Sequence, residues 1–250
     1  MFFFIKPSII HLDCFTSDAR VQKYYPIAHS AQFLPEWWRR LPKTYTNKKV
    51  WWGTPTIKSC PGFTEYYKNS ISIPLWCDLL IDIAQEGKGF RWQFADERTS
   101  AVIHDEEQYT DFIDTQKYSH FKITSPWCFK TKLSVKWVWN FPVWNHDSFD
   151  ALTVLPAVID YRYNYTTNIN IIINKSKEKL VSLNAGTPLV NLIPMSDKQI
   201  KIHNHIVSND EYDVINSCEN VNAHFFGRHR KNIKDIDRQD ARCPFGFGKK

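Results

Sequence analysis

Between residues 90 and 194 the chain is a succession of short apolar segments, none with the length or period of an ordinary helix. "FRWQF", "HFKIT", "KLSVKWVW", "ALTVLPAVID", "NINIII", "KLVSL" and "PLVNLI" are rich in β-branched or aromatic side chains and are separated by polar or Gly/Pro turns. Short strands at that spacing predict a β-sandwich, jelly roll or barrel. Alternation in "NINIII" and "KLSVKWVW" sets one face in a core and the other against solvent or a partner. The residue supply agrees, with 10 Trp, 11 Tyr and 17 Phe against only 8 Gly, because aromatic rings suit pleated, half-buried surfaces.

The flanks differ in character. Residues 1–89 form an irregular layer rich in Pro and Trp, and Pro26, Pro35, Pro42, Pro55 and Pro61 forbid a long helix there. Ser30 is expected to cap a short helical turn ending near Pro42. "GFTEYYKNS" predicts a second short helix, and "SISIPLWCDLLIDI" a strand. "MFFFIKPSIIHLDCF" reads as an N-terminal strand, since its lysine follows the aromatics and no small-residue cleavage site follows. Residues 195–250 are expected to form a helical arm and tail, capped by Ser208 or Asn209 and interrupted near Gly227. With no repeat or low-complexity linker in 250 residues, the expectation is a single domain with its β core at 90–194.

Bulk chemistry removes several classes. At 43% hydrophobic and 23% charged residues the chain is an ordinary globular protein. A net charge of +6 is modest, and aspartates interrupt the basic stretch "GRHRKNIKDIDRQDARCPFGFGKK", so nucleic acid is not the expected partner. No window approaches the roughly 18 apolar residues of a membrane span. Cys14, Cys60, Cys77, Cys128, Cys218 and Cys243 contain no C-x-x-C pair, which favours free thiols.

His203 and His205 share one strand face, and "HLD" at 11–13 and "HDEEQY" at 104–109 hold further ligand types. Without a third ligand at a defined spacing, surface histidines are expected and no metal. "DEEQYTDFID" reads as a solvated acidic stretch. Trp37, Trp38, Trp51 and Trp52, with Arg39 and Arg40, fit an aromatic layer over the sheet, although they could also stack on bases or sugars.

Residues 155–194 hold the most distinctive order. "AVID" delivers Asp160 at a strand end, where a carboxylate can face a cleft and activate water. Tyr163 follows across a short turn, and two strands then lead to "AGTPLVNLI". This order resembles the dUTPase family: Ile159, Asp160 and Tyr163 match one of its motifs, and Gly186, Leu189, Val190, Leu192 and Ile193 match the next. The resemblance implies a jelly-roll core, a homotrimer with sites between subunits, and Mg²⁺-assisted pyrophosphate release. Asp160 would be the water-activating base and Tyr163 would stack under the sugar. By the same resemblance, ligand contacts would come from Asn191, from Lys130 and Lys132 in "SPWCFKTKLS", and from Arg242 and Phe247 in a C-terminal arm.

The departures favour a different use of the fold. Ala157 and Tyr165 replace glycines whose missing Cβ permits close backbone approach. Asn191 replaces a glutamine, the Arg-Ser-Ser phosphate motif has no counterpart, and Pro244 removes an N–H from the arm. Over its full length the chain resembles an uncharacterised family of tailed marine phages, through "LPEWWRRLP", "TIKSCPGFTEYY", "IPLWCDLLI", "ITSPWCFKTKL" and "AGTPLVNLIP". The expectation is thus a non-enzymatic, homo-oligomeric virion component or binding module without cofactor, in the virion or host cytoplasm. A diverged nucleotide pyrophosphatase or nucleotide-binding protein, using Asp160 and Mg²⁺, is the alternative.

Overall fold

In the computed structural model, which describes residues 9–46, 52–84, 89–109, 111–162, 165–177 and 179–216, strand β1 (Ile10–Thr16) buries Ile10, Leu12, Cys14 and Thr16. Its alternate residues His11, Asp13 and Phe15 point outward, as the two-residue period of a strand requires. Helix α1 (Ala19–Tyr24) starts where the Asp18 carboxylate accepts from the N–H groups of Arg20 and Val21. After β2 (Ala28–His29), the expected Ser30 turn is split into a 3₁₀ turn (Ser30–Phe33) and α2 (Glu36–Arg40). Pro35, with no N–H to donate, separates them. The hairpin of β3 (Thr44–Thr46) and β4 (Gly53–Pro55) leads to α3 (Pro61–Lys68), which carries proline at its first position.

Then follow β5 (Ile71–Pro74), β6 (Leu79–Ile83), β7 (Phe90–Phe94), β8 (Ala101–Ile103), β9 (Tyr118–Thr124), β10 (Cys128–Lys130) and β11 (Trp137–Asn140). The remaining elements are β12 (Leu152–Val154), β13 (Ala157–Ile159), β14 (Asn168–Asn174), β15 (Lys179–Leu183), β16 (Pro188–Pro194), β17 (Ile200–Ile206) and α4 (Asn209–Asn216). The fold is mainly β, as expected.

The expected barrel is corrected, since the strands form several open sheets and no closed barrel is present among the described residues. A five-stranded sheet runs β13-β11-β16-β5-β2, and a four-stranded sheet runs β12-β14-β9-β8. Two three-stranded sheets, β10-β1-β17 and β15-β6-β7, and the β3–β4 hairpin complete the set. These layers share one core that includes Leu12, Ile73, Ile81, Phe121, Trp139 and Ile171. Trp127, Trp137, Trp139 and Tyr161 are among its largest fully buried side chains, and burial of each such ring contributes about 1.5–3 kcal/mol.

Two predicted strands are shorter than expected. In "KLSVKWVW" the N–H of Val135 donates to the carbonyl of Leu133 at 2.8 Å, a three-residue turn that confines the strand to β11. "ALTVLPAVID" breaks at Leu155–Pro156, so β12 pairs with β14 while β13 pairs with β11 in another sheet. In the stretch expected to be helical arm, β17 intervenes before α4, which is capped by Ser208, one of the two anticipated residues: its hydroxyl accepts from the Glu211 N–H at 3.2 Å. Gly227 and the "CPFGFGKK" tail lie outside the described residues.

Candidate functional site

The Asp160 turn is fixed by its neighbour. Tyr161 is fully buried, and its hydroxyl accepts from the Trp139 indole N–H at 2.9 Å. Burial pushes its phenol pKa well above the ordinary value. With that ring locked in the core, Asp160 and Arg162 emerge on either side of it. The Arg162 guanidinium grips the Asp160 carboxylate through Nε at 3.1 Å and Nη2 at 2.8 Å, and the Arg162 backbone N–H donates to the same carboxylate at 3.2 Å. The carboxylate side chain is 11% exposed. A base held by a bidentate cation is neutralised and oriented inward. A cavity of about 280 Å³ lies alongside, lined by His120, Trp139, Ala157, Ile159, Thr166 and Asn168 among others, but not by Asp160.

The other expected site residues have separate fates. The N–H of Phe129 donates to the carbonyl of Tyr165, and the N–H of Thr131 to that of Tyr161, so the 129–131 segment runs beside the turn. Lys130 and Lys132 flank Thr131 and are exposed, and the Lys130 ammonium lies 5.5 Å from the centre of the Tyr165 ring. Asn191 is fully buried. Its Oδ1 accepts from the Ser72 hydroxyl at 2.7 Å, and its Nδ2 donates to the Tyr66 hydroxyl at 3.1 Å. Asn140 also donates to that hydroxyl, at 3.0 Å. The Asn191 amide thus ties the 66–72 segment to β16 and β11 and presents no surface to a ligand. Tyr163, Arg242 and Phe247 lie outside the described residues.

A larger opening lies elsewhere. A cleft of about 670 Å³ separates α2 and the turn before it from the loops at 144–147 and 182–188. Sites that enclose small molecules have this size and mix aromatic walls with a few placed polar groups. Trp37 and Trp144, each 42% exposed, meet at one corner with ring centres 6.1 Å apart, and the Trp37 indole N–H donates to the Trp144 carbonyl at 2.9 Å. Behind them Phe63 packs against both indoles, stacks on Trp38 at 5.5 Å and touches Tyr67 at 4.8 Å. Trp38 therefore belongs to the expected aromatic layer, while Trp37 turns partly out of it. Trp52 is 60% exposed, and Trp51 lies outside the described residues.

The floor of this cleft is rigid. Asn145 donates to the Phe33 carbonyl at 2.7 Å and accepts from the Tyr67 hydroxyl at 2.6 Å, which joins the two walls. His146 is buried, stacks on Phe141 and bonds through Nε2 to the Pro188 carbonyl at 2.7 Å. A carbonyl only accepts, so that nitrogen carries the proton. Burial holds the His146 pKa below the ordinary histidine value. The third wall turns at Gly186, whose φ of 87° suits a residue without Cβ. Glu36 and Arg39 on one side, with Asp147 and Asn184 on the other, give the lining both signs of charge and an amide.

The histidine fragments meet through β1 and β17, which bring His11, Asp13, His203 and His205 onto one face. Among the described residues no group of three or more His, Cys, Asp or Glu converges as a metal site. Of the described cysteines, Cys14, Cys77 and Cys128 are buried and Cys60 is exposed. No described helix is long and apolar enough to cross a membrane. Comparison with protein families and with curated proteins yields no match.

Proposed function

We propose that this protein is a non-enzymatic binding module whose ligand cleft is framed by Trp37, Trp144 and the Asn184–Pro188 loop. The half-exposed indole corner over the cleft of about 670 Å³ carries the proposal. The ligand class it fits is a neutral saccharide. Indole faces match the C–H faces of a pyranose, while Asn184, Asp147, Glu36 and Arg39 offer donors and acceptors suited to hydroxyl groups. Carboxylates on both sides of the cleft disfavour a polyanionic ligand.

The Asp160–Arg162 clamp supports a non-catalytic role, because a water-activating base must be free to take a proton. The phage-like segments support a virion setting, and the wealth of exposed aromatic surface supports a homo-oligomer, with a trimer as the form the dUTPase-like order suggests. Titration of the full chain with neutral gluco- and N-acetylglucosamine oligosaccharides should change tryptophan emission in the wild type and not in Trp144→Ala. No emission change or heat of binding with any of these sugars would reject the saccharide assignment.

The competing pyrophosphatase reading draws on the retained order of β13, turn, β14, β15 and β16. It requires Mg²⁺-dependent pyrophosphate release from nucleoside triphosphates that is lost in Asp160→Asn. Such turnover would overturn the non-enzymatic proposal.

A further inference from the structure

β1 and β17 form the parallel pair of the described fold, running in register over seven residues from Ile10↔Ile200 to Thr16↔Ile206. With Asp13 opposite His203 and Phe15 opposite His205, their outward side chains form a column. The rings of His11 and His203 stack at 5.2 Å and 13°, those of His203 and His205 at 6.2 Å, and His205 lies on Phe15 at 4.9 Å. Nδ1 of His11 stands 2.9 Å from Nε2 of His203, and Nε2 of His205 stands 2.8 Å from the Asp13 carboxylate. A hydrogen bond between two imidazole nitrogens needs one donor and one acceptor, so the first pair holds at least one neutral ring with its lone pair directed across the strands.

We propose that His11 and His203 form a cross-strand chelate for a divalent transition-metal ion that accepts right-angled nitrogen ligands, Ni²⁺ or Cu²⁺ in preference to tetrahedral Zn²⁺. Metal–imidazole bonds of about 2.0–2.1 Å meeting at a right angle hold their nitrogens about 2.9 Å apart, whereas a tetrahedral angle needs about 3.3 Å. The hydrogen-bonded pair already holds these nitrogens 2.9 Å apart, nearer the first spacing than the second, so a right-angled ion needs the smaller rearrangement. A turn of each ring about its Cβ–Cγ bond aims both lone pairs at one point above the sheet. The ring that donates in the metal-free pair moves that proton to its other nitrogen, so that a neutral pair presents two lone pairs and binds the ion without net loss of a proton. Water completes the coordination shell, since the described residues supply no third convergent ligand.

His205 is excluded from the chelate because its Nε2 is engaged with Asp13. That contact, with the stack on Phe15, orients the column beside the metal pair. The consequence is structural, because the ion would tie the first described strand to the last. Holding one ligand raises the effective concentration of the other, so the pair should bind well beyond either histidine alone. An ion that binds only the folded arrangement stabilises it.

The test is a titration of the full chain with Ni²⁺, followed by calorimetry, thermal unfolding and imidazole NMR. The His11 and His203 resonances should broaden first, below one equivalent, and the unfolding temperature should rise. His203→Gln and His11→Gln should each weaken binding about tenfold or more, whereas His205→Gln should leave it within about twofold. First broadening at any other histidine overturns the proposal. So does an unchanged affinity in both His203→Gln and His11→Gln. If either variant is misfolded by circular dichroism, the order of broadening in the wild type decides alone.

Discussion

The Asp160 turn and the Trp37–Trp144 cleft differ in how their chemistry is spent. At the turn the described groups engage one another: Asp160 with Arg162 and Tyr161 with Trp139, as Asn191 does with Ser72 and Tyr66. In the cleft the internal bonds lie in the floor, through Asn145 and His146, while two indoles face solvent at the rim. Polar groups at the turn are spent on one another, while in the cleft two indole faces stay open to solvent. Substitutions at the first region should therefore act on stability, and those at the second on binding.

The largest effect is expected at Asn191. Asn191→Ala opens a cavity and removes two buried hydrogen bonds, leaving Ser72 with Ser30 and Tyr66 with Asn140, and should cost about 3 kcal/mol in urea unfolding. A loss below about 1 kcal/mol would mean that the amide is not the tie between these segments.

Arg162→Ala comes next, at about 2 kcal/mol, because it takes the bidentate guanidinium away from a mostly buried carboxylate. Asp160→Asn combined with Arg162→Met should recover much of that loss, since neither uncompensated charge remains. If the double variant is as unstable as Arg162→Ala alone, the pair is not acting through charge.

Trp144→Ala inverts the pattern. Its half-exposed ring should contribute less than about 1 kcal/mol to stability, yet its removal should weaken saccharide binding about tenfold or more, taking the stacking worth of one aromatic ring as a guide. Comparable stability losses for Trp144→Ala and Arg162→Ala would erase the distinction between the two regions.

Local periodicity explains which of these features the sequence reveals. "NINIII" and "PLVNLI" become β14 and β16 because alternation and length are properties of the segment itself. Asp160 does stand at a strand end for the same reason. Its partner Arg162 carries no signal of its own in the sequence, because the i to i+2 grip depends on how Tyr161 is buried. The barrel expectation failed at Leu155–Pro156, where one apolar run serves two sheets. Closure is a matter of pairing between segments, which strand patterns alone leave open. The cleft joins Trp37 to Trp144, and the histidine column joins His11 to His203, across 107 and 192 positions of sequence. No spacing rule spans such distances, because strand pairing and layer packing decide them.

The smallest expected effect is the pH dependence of the cleft floor. His146, in the cleft floor, has its pKa lowered chiefly by burial, with the Pro188 carbonyl and Asp147 opposing. In the unfolded chain it titrates near 6.5. Between that value and the lowered folded one, the unfolded chain binds more protons, so stability rises with pH. The contribution of His146 is therefore complete above about 6.5 and is lost as pH falls through its folded pKa. His120 shifts in the same direction, again chiefly by burial, and acts in the same window. Asp96 works lower: the hydrogen bond from Arg98 brings its pKa down to about 2, so its contribution is present above about 4 and disappears as pH falls through about 2. His146→Gln keeps a donor for the Pro188 carbonyl but cannot take up a proton. Thermal unfolding followed from pH 7 to 5 should decline less steeply in that variant than in the wild type, while the decline at acid pH governed by Asp96 should stay in place. An equal decline in both proteins between pH 7 and 5 would show that the cleft floor does not hold a neutral histidine.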